Sequence, residues 1–244
     1  MLANCLVEEV ECPKPDMHLH FERIQKPSSY SDCNLSSLSW MGKVPDGLLQ
    51  NDDDGWKLNR INYYQDGWLA CGNVRGIVGA TFTTSRTRKN VTPELPQRTN
   101  YNLRGHRSEV TLVKWNEPYQ KLASCDSTGI IFVWIKYEGR WSIELINDRN
   151  TQVTDFAWSH DGRMALICYM DGFVLVGSVS GQRYWSSMLN LDSCTISCGI
   201  WSPDDQNVIF GTSSGHILGL SLFLIFDEKQ IRFKFKNLRK SLVI

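Results

Sequence analysis

A 43-residue repeat constrains the fold of this chain more than any other feature of its sequence. Three tryptophans recur at steps of 43 residues, and three glycines recur at the same step, each 14 residues after its tryptophan. The repeated residues are Trp115, Trp158, Trp201, Gly129, Gly172 and Gly215. A period of about 40 to 45 residues is that of a four-stranded propeller blade, in which each unit packs against the next. The six residues are therefore predicted to be the repeat core of an all-β propeller.

Each repeat unit consists of short apolar runs separated by turns. The runs of the best-defined unit are residues 110–115, 121–125 and 130–134. They are rich in valine, isoleucine and aromatic residues, which favour strands, and a polar turn ending in Gly129 separates the last two. Cys125 and Cys168 each lie four residues before the turn glycine, so both thiols are predicted to lie in the core.

A divergent copy of the unit lies upstream and brings the prediction to about four blades. Leu38-Ser39-Trp40 resembles a first strand, and residues 68–79 resemble the second and third strands. Gly76 follows Trp40 by 36 residues rather than 14, which predicts a surface loop over 43–64. A second loop is predicted over 85–100. Because propellers bind partners through loops on a rigid frame, these two loops are candidate contact segments, although tolerated insertions explain them equally well.

The repeat that contains Trp115 and Gly129 carries most of a WD40-type hydrogen-bond network. WD40 blades are held together by a His, a Ser or Thr, an Asp and a Trp, and such a buried network stabilises only when every member is satisfied. Here His106 precedes the first strand, Ser124 lies in the second, and Trp134 closes the third, but Thr128 stands where the Asp is expected. This blade is thus predicted to keep three of the four members. The next blade has Asp171 at the turn but lacks the Gly-His pair and the closing tryptophan.

Charge and hydropathy argue against several classes of partner. Lys and Arg number 26 and so do Asp and Glu, and a neutral chain lacks the excess positive charge that nucleic-acid phosphates require. The longest apolar run, 217–226, is too short to span a bilayer. The first residues lack a secretion signal, so the eight cysteines are expected to be reduced and the chain to be cytoplasmic.

No catalytic, metal or cofactor site is predicted. The sequence contains no nucleophile elbow, phosphate loop or HExxH motif. The candidate metal ligands Cys5, Cys12, His18, His20, Cys194 and Cys198 lack the paired spacing of a structural zinc site. His160 fits a turn, and adjacent Asp204 and Asp205 follow a proline in a turn, where their side chains are expected to point apart.

Several stretches resemble the N-terminal WD40 propeller of the tubby-like protein family. They are residues 67–70 (GWLA), 102–106 (NLRGH), 113–118 (VKWNEP), 132–141 (FVWIKYEGRW) and 171–183 (DGFVLVGSVSGQR). The match extends from about Leu35 to Leu220. A more distant similarity is to WD40 subunits of the intraflagellar-transport A complex.

This resemblance implies a non-enzymatic scaffold that binds other proteins. The family is thought to join a cullin-RING ubiquitin ligase through a SOCS box and to end in a tubby domain, which implies ubiquitin-ligase components or a substrate as partners of the longer relative. Neither module occurs here, so ligase docking and phosphoinositide binding are carried over to no residue, and the chain is interpreted as a fragment or an alternative product. The alternative function is a structural subunit of ciliary transport.

The predicted organisation combines the repeat with this resemblance. A disordered extension is expected over 1–30, an all-β WD40-type propeller segment of about four blades over 31–222, and a basic, divergent tail over 223–244. The segment is expected to be an incomplete ring, because the relatives close theirs with more blades. The tail alternates lysine and arginine with Ile231, Phe233 and Phe235. Contact with RNA or acidic lipid is compatible with that pattern, but a solvated, poorly ordered terminus is favoured.

Overall fold

The computed structural model describes residues 34–42, 66–84, 96, 98–189, 191, 194–227 and 230–238, which form sixteen β-strands in four sheets and no helix. Blade 1 comprises β1 (Leu35–Gly42), β2 (Asp66–Asn73), β3 (Ile77–Thr84) and β4 (Asn100–Arg104). Blade 2 comprises β5 (Val110–Asn116), β6 (Lys121–Asp126), β7 (Ile130–Tyr137) and β8 (Arg140–Asp148). Blade 3 comprises β9 (Val153–Trp158), β10 (Met164–Tyr169), β11 (Phe173–Ser178) and β12 (Arg183–Met188). Blade 4 comprises β13 (Ile196–Trp201), β14 (Asn207–Thr212), β15 (Ile217–Asp227) and β16 (Gln230–Leu238).

Every blade is an antiparallel sheet whose strands pair in chain order. The first strands β1, β5, β9 and β13 contact one another in succession, which places them on the inner side of the propeller. The hairpin between the second and third strands turns at a glycine in each blade, with φ of 77° at Gly76, 94° at Gly129, 84° at Gly172 and 81° at Gly215. Positive φ is strained for other residues, so the repeated glycine marks the position where the backbone requires it.

The hydrophobic core lies between blades rather than inside any one sheet. One buried cluster joins blades 1 and 2, a second joins blades 2 and 3, and a third joins blades 3 and 4. Trp115 and Trp201 are buried in the first and third clusters, and Trp158 packs half-buried against the second. Cys125 and Cys168 are buried as predicted.

Blade 1 has a face that no other described blade covers. Val113 and Phe156 occupy the same position in the first strands of blades 2 and 3 and are 1% and 2% exposed, whereas Leu38 at that position in blade 1 is 62% exposed. Among the described strands, extensive contacts join each blade only to its neighbours in the chain. The prediction of a four-blade, all-β propeller segment with an open ring is therefore confirmed.

The C-terminal boundary differs from the expectation. The predicted change from propeller to tail at 222/223 falls inside β15, and residues 230–238 pair with that strand as the fourth strand of blade 4. Alternating apolar and polar residues suit a strand at a sheet edge, which explains how a sequence expected to be a loose tail can pair. The predicted extension over 1–30 lies outside the described residues.

Candidate interaction site

Four buried side chains of blade 2 form one continuous hydrogen-bonded chain. His106 Nδ1 lies 2.9 Å from Asp126 Oδ2, and His106 Nε2 lies 2.7 Å from Ser124 Oγ. The indole nitrogen of Trp134 donates to Ser124 Oγ over 2.8 Å. All four residues are buried, so their polar groups need protein partners, and this network supplies one to each of them.

The available donors and acceptors select one protonation pattern. Because the Trp134 indole can only donate, Ser124 Oγ accepts from it and directs its own hydrogen to His106 Nε2. The imidazole is then neutral and donates from Nδ1 to the Asp126 carboxylate. Burial lowers the pKa of His106, although its hydrogen bond and charge interaction with Asp126 oppose this shift. In this pattern the hydroxyl hydrogen of Ser124 is bonded to His106 Nε2, so protonation of the imidazole would leave that hydrogen without its acceptor.

Asp126 is the network member that the sequence interpretation missed. The prediction that Thr128 stands at the Asp position and that only three members remain is wrong. Thr128 instead donates to Asp126 Oδ1 from its hydroxyl over 2.7 Å and from its amide over 3.0 Å. Burial alone would raise the pKa of Asp126, but hydrogen bonds from Thr128, His106 and the Ile130 amide hold it below its usual value. The available signal was that Asp126 opens the turn that Gly129 ends.

Blade 3 replaces every member of this network. The residues 43 positions after His106, Ser124, Asp126 and Trp134 are Arg149, Ile167, Tyr169 and Gly177. Arg149 pairs with Asp171 at 2.6 Å, and its guanidinium carbon lies 4.0 Å from the ring centroid of Phe173. Asp171, predicted as a network residue, also accepts a hydrogen bond from the Phe173 amide. It therefore belongs to a partly exposed ion pair and a turn rather than to a buried network.

The closing tryptophan of blade 2 and Gly177 of blade 3 occupy the same register. Trp134 pairs with Leu122, and Gly177 pairs with Ala165, 43 residues later in each case. In blade 2 the indole packs into the cluster shared with blade 1. Blade 3 therefore has no side chain at the position where blade 2 places a buried tryptophan.

A cavity of about 330 Å³ lies between blades 2 and 3 and includes Gly177 in its wall. Ile131 and Val133 line it from blade 2, and Trp158 and Ile167 line it from blade 3. Concave, mostly apolar sites of about 300–1,000 Å³ with a few polar groups are typical of ligand-binding pockets. This cavity is the candidate interaction site.

Polar contacts between neighbouring turns hold blades 2, 3 and 4 in place. Asn116 Nδ2 donates to the Gly162 carbonyl over 2.8 Å. Asp205 accepts hydrogen bonds from the His160 and Asp161 amides over 2.8 and 2.9 Å, and so caps the turn of the preceding blade. Asp204 instead accepts hydrogen bonds from Ser202 and Gln206 within its own turn. The two adjacent carboxylates thus point apart, as expected, but the role of Asp205 between blades was not foreseen.

The cysteines and histidines weighed as metal ligands form no cluster among the described residues. Among the described residues, no group of three or more His, Cys, Asp or Glu could hold a metal ion, and Cys5, Cys12, His18 and His20 lie outside that part of the chain. Cys194 and Cys198 are free thiols, the second of them exposed. Burial raises the pKa of the Cys125 and Cys168 thiols, which suits packing rather than nucleophilic chemistry.

The two loops predicted as contact segments lie almost wholly outside the described residues. Residues 43–64 lie outside the described residues, and so does most of 85–100. The part of the chain that is described contains no helix with the length and apolar character needed to cross a membrane.

Known proteins resemble both the sequence and the fold. Residues 53–232 match a family model described as the WDR35/TULP4 N-terminal β-propeller. Tubby-related protein 4 of Homo sapiens is 60% identical over 192 residues, which cover 79% of this chain and 12% of that protein. WD repeat-containing protein 35 of Rattus norvegicus is 38% identical over 168 residues, which cover 66% of this chain and 14% of that protein. The chain thus spans only a small fraction of these relatives' length.

Solved structures with low sequence identity share the fold alone. Hsv2 of Kluyveromyces lactis superimposes with a TM-score of 0.55 at 16% identity and covers 71% of this chain and 59% of that one. The Cps50 (Swd1) β-propeller domain of Myceliophteria thermophila gives a TM-score of 0.54 at 11% identity and covers 84% of this chain and 57% of that one.

Proposed function

Because the chain belongs to the WDR35/TULP4 N-terminal β-propeller family, we propose that it is a non-enzymatic scaffold that binds other proteins. More specifically, it acts as the substrate-binding propeller of a cullin-RING ubiquitin-ligase adaptor in the cytoplasm. The observation that carries this proposal is the 60% identity to Tubby-related protein 4, together with the role that the tubby-like resemblance implies. The rigid inter-blade core and the cavity between blades 2 and 3 support a binding role.

A second function is supported by a different relative. Structural participation in the intraflagellar-transport A complex rests on the more distant resemblance and on the 38% identity to WD repeat-containing protein 35. The two functions differ in the proteins that the chain would contact, so one experiment separates them.

The test is quantitative affinity purification of the tagged full chain from ciliated cells. A Gly129→Ala variant, whose added Cβ would lie 2.1 Å from the Thr151 carbonyl oxygen, serves as a misfolded control. Proteins that are enriched with the native chain and become ubiquitinated in a cullin-dependent manner support the first function. Enrichment of intraflagellar-transport subunits and ciliary localisation support the second. Equal recovery by the native chain and the misfolded control would overturn both.

A further inference from the structure

We propose that the cavity between blades 2 and 3 binds a short segment of a partner protein that carries an aromatic side chain beside an acidic residue. The aromatic group fills the cavity, and the neighbouring carboxylate pairs with Arg183 at its rim. This inference rests on the proposed scaffold function and specifies the site and the chemistry of its ligand.

The shape of the cavity follows from the degenerate repeat. The network residues Ser124 and Trp134 fill the interface of blade 2 with blade 1, whereas Ile167 and Gly177 at the same positions leave space in the next interface. An isoleucine in place of the serine removes the hydroxyl that would accept a hydrogen bond from an indole. The space beside Gly177 is thus apolar, and the aromatic ring of Trp158 forms part of the cavity lining. Apolar cavities bind aromatic groups without any polar partner.

The rim supplies charge and hydrogen-bonding groups. Arg183 lines the cavity and is exposed, and among the described residues no ion pair or hydrogen bond engages its guanidinium. Arginine pairs well with carboxylates because its planar donors match both oxygens. Asn147, Ser178 and Gln182 also line the cavity and can bond a peptide backbone. Charge complementarity therefore favours an acidic segment over a basic one.

The rim also explains why the site suits a partner chain rather than only a small molecule. Ile146 lines the cavity from β8 and is 65% exposed, so an apolar surface continues outward from the opening. Gly181, which also lines the cavity, has φ of 90° in the turn before β12 and presents backbone without a side chain. An extended segment can approach such a surface closely, and aromatic anchors in pockets dominate the affinity of many protein interfaces.

The test uses fluorescein-labelled nine-residue peptides with a central Trp, Phe or Ala and either Asp or Lys beside it. Fluorescence polarisation with the full chain is expected to show the Trp-Asp and Phe-Asp peptides binding at least about ten-fold more tightly than the Ala-Asp peptide. Free indole is a second probe, and it is expected to raise the melting temperature of the chain.

Three variants assign the binding to the cavity. Gly177→Leu fills it and is expected to abolish both the aromatic preference and the indole effect. A Cβ at position 177 would lie 3.1 Å from the Gln182 carbonyl oxygen, so the melting curve of this variant is recorded first. Arg183→Glu changes only an exposed side chain and is expected to reverse the preference from Asp to Lys peptides. Arg140→Glu, exposed on β8 and outside the cavity lining, is the matched control and is expected to retain the original preference.

Four outcomes would overturn the inference. Equal affinity for the Trp-Asp and Ala-Asp peptides, or no change with Arg183→Glu, would show that the cavity does not select this ligand. Self-association that Gly177→Leu disrupts would instead assign the cavity to a second copy of the chain. If the native chain and Arg183→Glu recover the same cellular partners, the scaffold function stands and this site for it fails. If the native chain recovers no partner protein at all, the scaffold function itself is refuted.

Discussion

The indole nitrogen of Trp201 donates a 3.1 Å hydrogen bond to the backbone carbonyl of Ala157 in the preceding blade. One blade earlier, Trp158 makes the same contact with the Lys114 carbonyl over 3.2 Å. Each acceptor immediately precedes the tryptophan of its own blade, so the repeat period sets the geometry of the contact between blades. Between blades 1 and 2 this bond is absent. The buried indole nitrogen of Trp115 has no hydrogen-bond partner, and the Trp115 backbone amide donates to Ser39 Oγ instead.

The tryptophan contact predicts a difference between two otherwise similar substitutions. Trp201 is 4% exposed and Trp115 is 7% exposed, so replacing either one with phenylalanine causes a comparable loss of packing. Only Trp201→Phe also breaks a hydrogen bond and leaves a carbonyl without its donor. We expect it to lower the free energy of unfolding by about 1 kcal/mol more than Trp115→Phe. Urea denaturation measures both, and equal losses would mean that the contact contributes nothing to stability.

The parts of the fold that could be predicted are the strands that recur in every blade and pack against the neighbouring blades. The first three strands of a blade carry buried residues, and their apolar runs recur with Trp115 and Gly129 at fixed points. The fourth strand has a different pattern because it lies at the sheet edge opposite the inner first strand, where fewer of its side chains are covered by a neighbouring blade. In β8, for example, Ser142 and Glu144 are exposed and Leu145 is half-buried. Such a strand resembles a polar connection in the sequence, which is why three runs rather than four were recognised.

The site was less predictable because it depends on what neighbouring residues leave unfilled. The loss of the closing tryptophan in blade 3 was visible in the sequence. The sequence did not show that Ile131 and Val133 of blade 2 leave the space beside Gly177 open. The role of Asp126 was missed for a different reason, since Thr128 lies in the same turn and its side chain joins the same network as a donor rather than as the carboxylate.

Steric space predicts unequal effects at two repeat glycines. Both Gly129 and Gly215 have positive φ, so alanine at either position incurs backbone strain of about 1 kcal/mol. A Cβ at position 129 would also lie 2.1 Å from the Thr151 carbonyl oxygen, whereas one at position 215 meets nothing within 4 Å. We expect Gly215→Ala to fold with a small loss of stability and Gly129→Ala to lose its cooperative unfolding transition. Circular dichroism during thermal unfolding tests this order, and a more severe effect at position 215 would contradict it.

The completed network of blade 2 predicts a large effect for removing one hydroxyl. Ser124→Ala leaves the Trp134 indole without an acceptor and His106 Nε2 without a donor, both in a buried position. We expect a loss of about 2–3 kcal/mol in the free energy of unfolding, since unsatisfied buried polar groups are costly. Ser142→Ala, exposed on β8, is the control and should change stability by less than about 0.5 kcal/mol. Similar losses from both substitutions, measured by urea denaturation, would show that the network does not stabilise the blade.

The same network predicts that acid destabilises the chain through His106. Burial lowers the pKa of His106 in the folded protein below its ordinary value of 6.5, so between these two pKa values the unfolded state binds more protons than the folded state. Stability from this group is therefore present above about pH 6.5 and is lost as the pH falls below it, by up to about 1.4 kcal/mol per pH unit. His106→Gln cannot titrate and should lower stability at pH 7.5 but remove this part of the slope. Urea denaturation of both proteins at pH 7.5, 6.5 and 5.5 gives the comparison, in which the difference between them should shrink on acidification. A difference that is constant or grows at low pH would show that protonation of His106 does not oppose folding.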